Sequence, residues 1–318
     1  MENLFKAGDN GTFNNTTDPT GNPPSDWGLT KDSGYDVTYK ATNPLTGAGS
    51  LRLKTSNTIM ELIYETTTSN QTVVINDYLF NNNDTNLNID WGDGNEDILL
   101  GNVKLNHTYL TAGTYNVTIT GQSTRLNLGN EPALKYINEF NRDIGVGNNS
   151  FLNCTGLIEL RNTIPIPFFE SVGLLNLFAN CSSLTGGSGL LLSPDLSGVT
   201  DSSSCFLGCT MLNADISNWD VSNITRMQRM FENCLSFNQN LGGWNINSLT
   251  NAIDMFKGAT LSTANYDALL IGWEAQAVQN NVTFNGGNSN YTLGGAAETA
   301  RTNLINDHSW TITDGGGI

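Results

Sequence analysis

Basic side chains are scarce in this sequence. Its 318 residues include 14 Lys and Arg against 30 Asp and Glu, which gives a formal net charge of -16. Nucleic-acid binding depends on basic side chains that neutralise phosphates, so we expect no nucleic-acid partner. An anionic membrane surface is disfavoured for the same reason. Divalent cations and basic protein patches remain open as partners, and a solvated acidic surface is the ordinary explanation of the charge.

Histidine is almost absent. The two histidines, His107 and His308, are far apart in the sequence and lie outside the clear repeats described below. A serine or cysteine nucleophile needs a histidine base and an orienting acid beside it, so we do not expect this class of enzyme. A metal site built on both histidines is not expected either, because they would have to converge from separate domains.

The sequence also lacks long apolar runs. No stretch reaches the roughly 20 apolar residues of a transmembrane helix, so we expect no membrane insertion. Met1 to Lys6 has neither the basic region nor the apolar region of a secretory signal. We therefore expect either that a signal has been removed or that the protein leaves its cell by another route.

What the sequence does contain is a repeat. A phenylalanine followed three residues later by a cysteine occurs four times, and a fifth copy has alanine in place of the cysteine. The copies are Phe151/Cys154, Phe178/Cys181, Phe206/Cys209, Phe231/Cys234 and Phe256/Ala259. Successive copies are 27, 28, 25 and 25 residues apart. Repeats of this length cannot bury a core alone and must stack, so we predict a solenoid with these residues in its core.

Each repeat is predicted to contain a short helix. In two copies the apolar residues follow the spacing of one helical face, and the second copy begins 25 residues after the first. The first copy is Ile224, Met227, Met230 and Phe231, and the second is Leu249, Ala252, Met255 and Phe256.

A short strand is predicted after each helix, because inward and outward residues alternate in 212–216 and 237–241. The outward positions are Asn213, Asp215, Asn238 and Asn240. We expect neighbouring repeats to place these side chains together as a flat polar patch that suits sugar hydroxyls or a partner's backbone. The alternatives are an ordinary solvated strand face and recognition by the N-terminal residues.

The five cysteines invite a disulfide interpretation. Four of them, however, occupy equivalent positions on successive repeats, where stacked side chains lie about 4.8 Å apart. The mean Cβ separation in a disulfide is only ~3.8 Å. The fifth, Cys205, is equivalent to Met230 and Met255. We therefore predict that all five are small buried hydrophobic residues, with a disulfide or a metal site as the alternative.

The repeats resemble a known family. The run from Asn218 to Met227 (NWDVSNITRM) and the run from Met230 to Cys234 (MFENC) resemble the BspA-type leucine-rich repeats of bacterial surface proteins, and Gly243 to Ile246 (GWNI) restates the pattern. The resemblance extends over about 195–318 and more loosely over about 125–194. It implies a right-handed solenoid that is displayed outside a cell for adhesion, and it implies no catalytic residues.

Residues 65–121 have a different character. Asp90 to Gly94 (DWGDG), His107 to Tyr109 (HTY) and Gly113 to Val117 (GTYNV) resemble the PKD-type immunoglobulin-like fold. The resemblance implies a small β-sandwich with Trp91 between its sheets and His107 in a structural role.

Oxygen ligands of the kind that calcium prefers cluster in the same segment, although turn chemistry beside glycine also explains them. This weak calcium candidate consists of Asp90, Asp93, Asn95 and Asp97.

The residues after the last repeat predict two helices and two strands. Tyr266 to Ala277 and Ala297 to Leu304 have helical spacing, whereas Val282 to Phe284 and Trp310 to Thr313 alternate as strands. The terminal segment of a solenoid must cover the open end of its core. We therefore predict a capping repeat.

The predicted fold class is mixed and multidomain. Residues 1–64 form an N-terminal β module or docking arm, 65–121 a PKD-like β-sandwich, 122–260 a BspA-type leucine-rich-repeat α/β solenoid, and 261–318 a C-terminal cap. We expect no cofactor and no bound metal.

The predicted function is that of a non-catalytic, externally displayed binding or assembly protein. We favour a phage virion surface component, either capsid decoration or tail-associated, because host lysis releases such a protein without an export signal. Expected partners are other virion or surface proteins and a host-surface glycan or protein. A bacterial cell-surface adhesin is the alternative. A glycoside-acting enzyme is a remote alternative hypothesis, with Asp195, Asp215 and Asp220 as candidate carboxylates.

Overall fold

The computed structural model describes residues 35–37, 53–55, 59–77, 86–100, 104–123, 126–141, 143–163, 165–166 and 173–318. The chain divides into two compact units, Met1–Thr58 and Ile59–Ile318. In the first unit, strand β1 (Tyr35–Val37) pairs antiparallel with β2 (Leu53–Thr55). The rest of the predicted N-terminal module up to residue 58 lies outside the described residues.

The second unit contains the other elements. Its strands are β3 (Ile59–Thr66), β4 (Gln71–Asp77), β5 (Asn86–Asp90), β6 (Glu96–Leu100), β7 (Lys104–Tyr109), β8 (Gly113–Gln122), β9 (Leu126–Asn127), β10 (Leu134–Glu139), β11 (Glu159–Leu160), β12 (Thr283–Asn285), β13 (Asn290–Tyr291), β14 (Thr311–Thr313) and β15 (Gly316–Gly317). Its helices are α1 (Ser188–Leu191), α2 (Thr263–Glu274) and α3 (Ala296–Asn306). Among the described residues, no helix is long and apolar enough to cross a membrane.

Two sheets form the first half of this unit. A six-stranded sheet has the order β11-β10-β3-β8-β5-β6, and a three-stranded sheet has the order β7-β4-β9. Residues alternate between buried and exposed along β3 and β5, so each strand turns one apolar face towards the core that the two sheets share. Strand β3 crosses the expected boundary between residues 64 and 65, and β10 and β11 extend the sheet beyond residue 121.

The predicted α/β solenoid of leucine-rich repeats is wrong. The regular elements of the described residues are mostly short strands in several small sheets, and none of the three helices coincides with a helical face predicted for the repeats. Residues 224–231 and 249–256 consist of turns and isolated bridges. The strands predicted at 212–216 and 237–241 are also absent.

Left-handed residues explain why no helix forms in these repeats. Arg229 has φ 56° and Asn233 has φ 60°, and the equivalent Asp254 and Gly258 have φ 54° and 78°. A right-handed helix cannot continue through such residues, because the left-handed conformation reverses the path of the backbone. The chain therefore makes successive turns at these positions.

Backbone hydrogen bonds between repeats replace the bonds within a helix. The N–H of Met227 donates to the carbonyl of Asn251 at 2.9 Å, and the N–H of Phe231 donates to the carbonyl of Met255 at 2.8 Å. Alternate amides thus bond to the next repeat about 25 residues later. The repeats stack in register because the backbone itself joins them.

The phenylalanines of the repeat form a continuous stack. The ring centroids of Phe151, Phe178, Phe206, Phe231 and Phe256 follow one another at 5.2, 5.6, 5.7 and 5.2 Å, with interplanar angles of 10° or less. All five rings are fully buried. This stack sets the distance between neighbouring repeats, and hence the spacing of the side chains on their outer surface.

The five cysteines are unpaired and buried, so the prediction for them is confirmed. The Sγ–H of Cys181 donates to the carbonyl of Phe151 at 3.0 Å, one repeat back. Cys209 and Cys234 make the same bond to the preceding phenylalanine. Burial raises the pKa of Cys154 and of Cys234 to about 12, so these thiols are poor nucleophiles.

The elements predicted after residue 260 are confirmed. Helices α2 and α3 occupy the two segments with helical spacing, and the parallel pair β12–β14 accounts for both predicted strands. The Ser262 side chain caps α2 by accepting a hydrogen bond from the N–H of Asn265. The buried face of α2 consists of Tyr266, Leu269, Leu270 and Trp273.

Candidate binding surface

Asn213 and Asn238 lie one above the other on neighbouring repeats. The Oδ1 atom of Asn213 accepts a hydrogen bond from the backbone N–H of Asn238 at 2.9 Å. It also accepts one from Nε2 of Gln239 at 2.7 Å. The side-chain oxygen of Asn213 is therefore fixed by the repeat that follows it.

Asn238 is held in the same manner one step further on. Its Oδ1 atom accepts from the backbone N–H of Ser262 at 2.8 Å and from Nδ2 of Asn265 at 2.9 Å. The two asparagines, which we call the amide row, are thus tied in series to the start of α2. Their side-chain positions follow from backbone bonds and are not left to rotamer freedom.

The outer groups of the amide row have no partner among the described residues. The side chains of Asn213 and Asn238 are exposed, and their hydrogen bonds to other side chains and to backbone use Oδ1 alone. Each Nδ2 group carries two N–H donors. The row therefore presents fixed oxygens to the protein and free donors to the solvent.

Asp215 and Asn240 are exposed as well, but they serve local turns. The Oδ1 atom of Asp215 accepts from the N–H of Ser217 at 3.0 Å, and Oδ1 of Asn240 accepts from the N–H of Gly242 at 2.9 Å. Hydrogen bonds from the side chain and backbone of Ser217 lower the pKa of the Asp215 carboxyl. The structure thus joins Asn213 to Asn238 and leaves Asp215 and Asn240 in separate turns.

The four calcium candidates are engaged in other bonds. Asp90 accepts from the N–H of Gly92 at 2.9 Å, and Asp97 accepts from the indole N–H of Trp91 at 2.8 Å. Within the described part of the chain, no group of three or more His, Cys, Asp or Glu side chains is placed to hold a metal ion. The carboxylates of Asp90, Asp93 and Asp97 and the side chain of Asn95 instead organise the hairpin between β5 and β6.

His107, on β7 of the three-stranded sheet, contacts this hairpin. Its Nε2 atom lies 2.9 Å from Oδ2 of Asp93, and its ring stacks on Trp91 with centroids 4.5 Å apart. Burial raises the pKa of Asp93, but hydrogen bonds from Asn95 and His107 outweigh it and lower the pKa overall. The histidine is held between an aromatic ring and a carboxylate, which is a structural arrangement.

The candidate catalytic carboxylates occupy turns of the same kind. Asp195, Asp215 and Asp220 each accept a hydrogen bond from the backbone N–H two residues later, at 3.0 to 3.1 Å. Hydrogen bonds from the serine at that position lower the pKa of all three. A glycosidase needs one carboxyl whose pKa is raised, so that it can act as a general acid. In these three turns the pKa of the carboxyl is lowered, which is the opposite of what a general acid needs.

The sequence interpretation missed the residues that support the amide row. Gln239 was assigned to the inward face, yet its amide bonds to Asn213. Asn265 directly precedes the helix predicted from Tyr266, and its position there indicates no long-range contact, yet its Nδ2 bonds to Asn238. Asn265 follows Asn238 by 27 residues, which is within the range of the repeat, so the period itself could have revealed this contact.

A family model matches part of the chain. The family is described as a Mycoplasma protein of unknown function, DUF285, and it matches residues 173–292. No curated protein and no solved structure matches this chain. The matched range contains the amide row and four of the five stacked phenylalanines. The likeness therefore covers the surface described above but assigns it no activity.

Proposed function

We propose that this chain is a non-catalytic, externally displayed protein that binds or assembles through the amide row. The proposal rests on the different environments of the oxygen and the nitrogen in the side chains of Asn213 and Asn238. Their oxygens are fixed by the next repeat, whereas their N–H donors face solvent. Donors that are already held in place lose little side-chain entropy when a ligand binds.

The free donors define the chemistry of the ligand. Two side-chain amides on neighbouring repeats offer up to four N–H groups. Such donors suit oxygen acceptors, either the hydroxyls of a neutral glycan or the backbone carbonyls of a partner protein. The net charge of -16 disfavours an anionic ligand.

The surroundings of the candidate reactive groups support a non-catalytic role. His107 is bonded to Asp93, and Nδ1 of His308 lies 3.2 Å from Oδ1 of Asn280. The five thiols are buried. His107 is 8% exposed and stacks on Trp91, and the thiols are buried, so these groups are poorly placed to reach a substrate.

Two locations fit such a protein. We favour the surface of a phage virion, with other virion proteins and a host-surface glycan or protein as partners. The second location is a bacterial cell surface, and the partial family match, described as a Mycoplasma protein of unknown function, names no location. Gold-labelled antibodies on purified virions and on intact cells distinguish the two, because label on cells alone would remove the virion assignment.

The binding role is tested by replacing donors while the fold is kept. In the double variant Asn213→Asp with Asn238→Asp, each residue keeps Oδ1 for the inter-repeat bonds but loses its N–H donors. We expect this variant to bind a printed array of neutral glycans and intact bacterial cells at least about tenfold more weakly than wild type. The matched control is Asn245→Asp with Asn247→Asp, which adds the same charge at exposed positions outside the row.

Equal binding by the double variant and wild type would overturn the role of the amide row. A chain that lacks residues 1–58 should bind as wild type does. If that truncation abolishes binding while the double variant does not, the first unit carries the function.

A further inference from the structure

Strand β6 is an open edge of the six-stranded sheet. It pairs with β5 on one side, and no described strand lies on its other side. The opposite edge of the same sheet, β11, is covered, because the N–H of Leu160 donates to the carbonyl of Gly186 at 2.9 Å. Among the described strands, the unpaired edge of this sheet is therefore Glu96–Leu100.

The register of the hairpin shows which backbone groups face outward. The N–H of Trp91 donates to the carbonyl of Asn95 at 3.1 Å, and in an antiparallel pair hydrogen-bonded and non-bonded positions alternate. Asp97 and Leu99 therefore bond to β5. The N–H and C=O groups of Glu96, Ile98 and Leu100 point to the open edge, where no described residue bonds to them.

The side chains of this edge are apolar where other edges are polar. Ile98 is 64% exposed and Leu100 is 61% exposed. By contrast, the exposed positions of β7, the edge of the other sheet, are Lys104, Asn106 and Thr108. Charged and polar side chains protect a sheet edge from pairing, and β6 lacks this protection in its second half.

The order of residues makes β6 complementary to itself. If two copies pair antiparallel about Ile98, this residue faces its equivalent, and Glu96 of each copy faces Leu100 of the other. All outward N–H and C=O groups then meet partners. The two Glu96 side chains lie about 14 Å apart, four residues at ~3.4 Å each, which exceeds the screening length of about 10 Å at 0.1 M salt.

Other antiparallel registers are less favourable. A pairing about Glu96 or Asp97 sets acidic side chains directly opposite each other, which destabilises a sheet. A pairing about Leu99 joins Leu99 to its equivalent and Ile98 to Leu100, and it leaves Glu96 and Asp97 without partners in β6. The register about Ile98 is the one that pairs all five residues without opposing charges.

We propose that β6 is a self-association edge through which two copies of this chain join their sheets antiparallel, centred on Ile98. A five-residue strand buries less than the roughly 800 Å² per partner of a standard interface. The dimer is accordingly weak in dilute solution, and it forms where copies are crowded on a surface. This proposal does not depend on the amide row, since the two surfaces share no residue.

Sedimentation velocity of the full chain over a wide concentration series tests the proposal. We expect the wild type to sediment faster as concentration rises, and Ile98→Lys to weaken self-association by about tenfold or more. Leu110→Lys is the matched control, because Leu110 is 74% exposed in the turn after β7 and lies off the edge. Thermal melts check that both variants are folded.

Wild-type protein that stays monomeric at every concentration would overturn the proposal, as would equal self-association by Ile98→Lys. The register is tested by single cysteines under mild oxidation. Paired Ile98 positions have Cα atoms about 5.5 Å apart, within the ~4.4–6.8 Å that a disulfide spans.

The native thiols are buried, so a new surface cysteine reacts alone. Ile98→Cys should give covalent dimers, whereas Leu100→Cys and Leu110→Cys should give few. Dimers from Leu100→Cys in the absence of dimers from Ile98→Cys would contradict the register.

Discussion

The carboxylate of Glu131 accepts a hydrogen bond from the backbone N–H of Val74 at 2.7 Å and so joins the start of the repeats to the middle strand of the three-stranded sheet. Glu131 is 5% exposed. Burial raises the pKa of its carboxyl to about 7, although the bond from Val74 and the charge of Lys104 act in the other direction. The hydrogen bond that joins the sheets to the repeats is thus accepted by a carboxyl whose pKa is raised.

We expect Glu131→Gln to stabilise the protein at neutral and higher pH. A pKa that is higher in the folded state than in the unfolded state contributes stability that is complete below about pH 4.5 and is lost as the pH rises through about 7. Glutamine keeps the acceptor for Val74 without the buried charge. The gain is at most about 3 kcal/mol, since one pKa unit is worth ~1.36 kcal/mol.

Urea unfolding of wild type and Glu131→Gln from pH 4 to pH 8 checks this prediction. The two proteins should have similar stability at the acidic end and diverge as the pH rises. Glu61→Gln, an exposed residue of β3, is the control. A constant difference at every pH would show that the Glu131 charge does not matter.

The phenylalanine stack predicts where truncation is costly. Phe231 packs between Phe206 and Phe256 and also lies 4.3 Å from the ring of Phe237. Phe231→Ala should therefore lower the free energy of unfolding by about 3–5 kcal/mol, because it leaves a cavity between repeats. Asn240→Ala should cost less than about 1 kcal/mol, since it removes one exposed turn bond.

Asn238→Ala should fall between these two, at about 1–2 kcal/mol, because it leaves the N–H of Ser262 without its acceptor and removes one of the two acceptors of the Asn265 amide. Chemical denaturation of the three variants gives the order. If Asn240→Ala proved as costly as Phe231→Ala, the core assignment would fail.

The sequence was sufficient to predict burial but not local conformation. The spacing of Met227, Met230 and Phe231 places all three side chains on one face, and all three are buried. Yet a pair of turns with a left-handed residue at Arg229 orients them just as a helix would. Apolar spacing alone cannot separate the two, because the energy of burial depends on where side chains point and not on how the backbone turns.

The residues with positive φ follow a sequence pattern that indicates turns. They recur four residues apart in every repeat, and most are Asn, Asp or Gly, the residues that tolerate positive φ best. The positions are Asn149 and Asn153, Asn176 and Asn180, Ser204 and Gly208, Arg229 and Asn233, and Asp254 and Gly258. Serine and arginine obscure the pattern in two repeats.

The alternation of 212–216 and 237–241 misled in a related way. Asn213 and Asn238 are exposed as an outward strand face requires, but their side-chain oxygens accept the bonds from the next repeat, where a strand would use backbone carbonyls. Long-range partners such as Asn265 are set by stacking. A local pattern therefore located the exposed residues and could not predict their bonds.

The five buried cysteines give a chemical prediction. Native protein should react slowly with a thiol reagent, because all five cysteines are buried and burial raises their pKa. Denatured protein should titrate five thiols without any reductant. A smaller number would mean that disulfides join the repeats, whereas fast reaction of the native protein would mean that the stack opens readily.

The last prediction concerns the buried ion pair at the C-terminal end. Asp314, whose side chain is 2% exposed, accepts hydrogen bonds from Nε and Nη2 of Arg301 at 2.7 and 3.2 Å. It also accepts one from the hydroxyl of Tyr266 at 2.8 Å. Removal of one partner from such a pair leaves an uncompensated charge in the core, so Arg301→Met and Asp314→Asn should each cost about 3–5 kcal/mol.

The double variant Arg301→Met with Asp314→Asn should cost clearly less than the sum of the single variants, since it leaves neither charge unpaired. The exposed pair of Arg226 and Asp201 is the control, and Arg226→Met should cost at most about 1 kcal/mol. Urea unfolding in low and high salt measures both pairs, and only the exposed pair should weaken with salt. If the costs of the two C-terminal substitutions simply added, Arg301 and Asp314 would act independently, and the ion pair would not contribute as a unit.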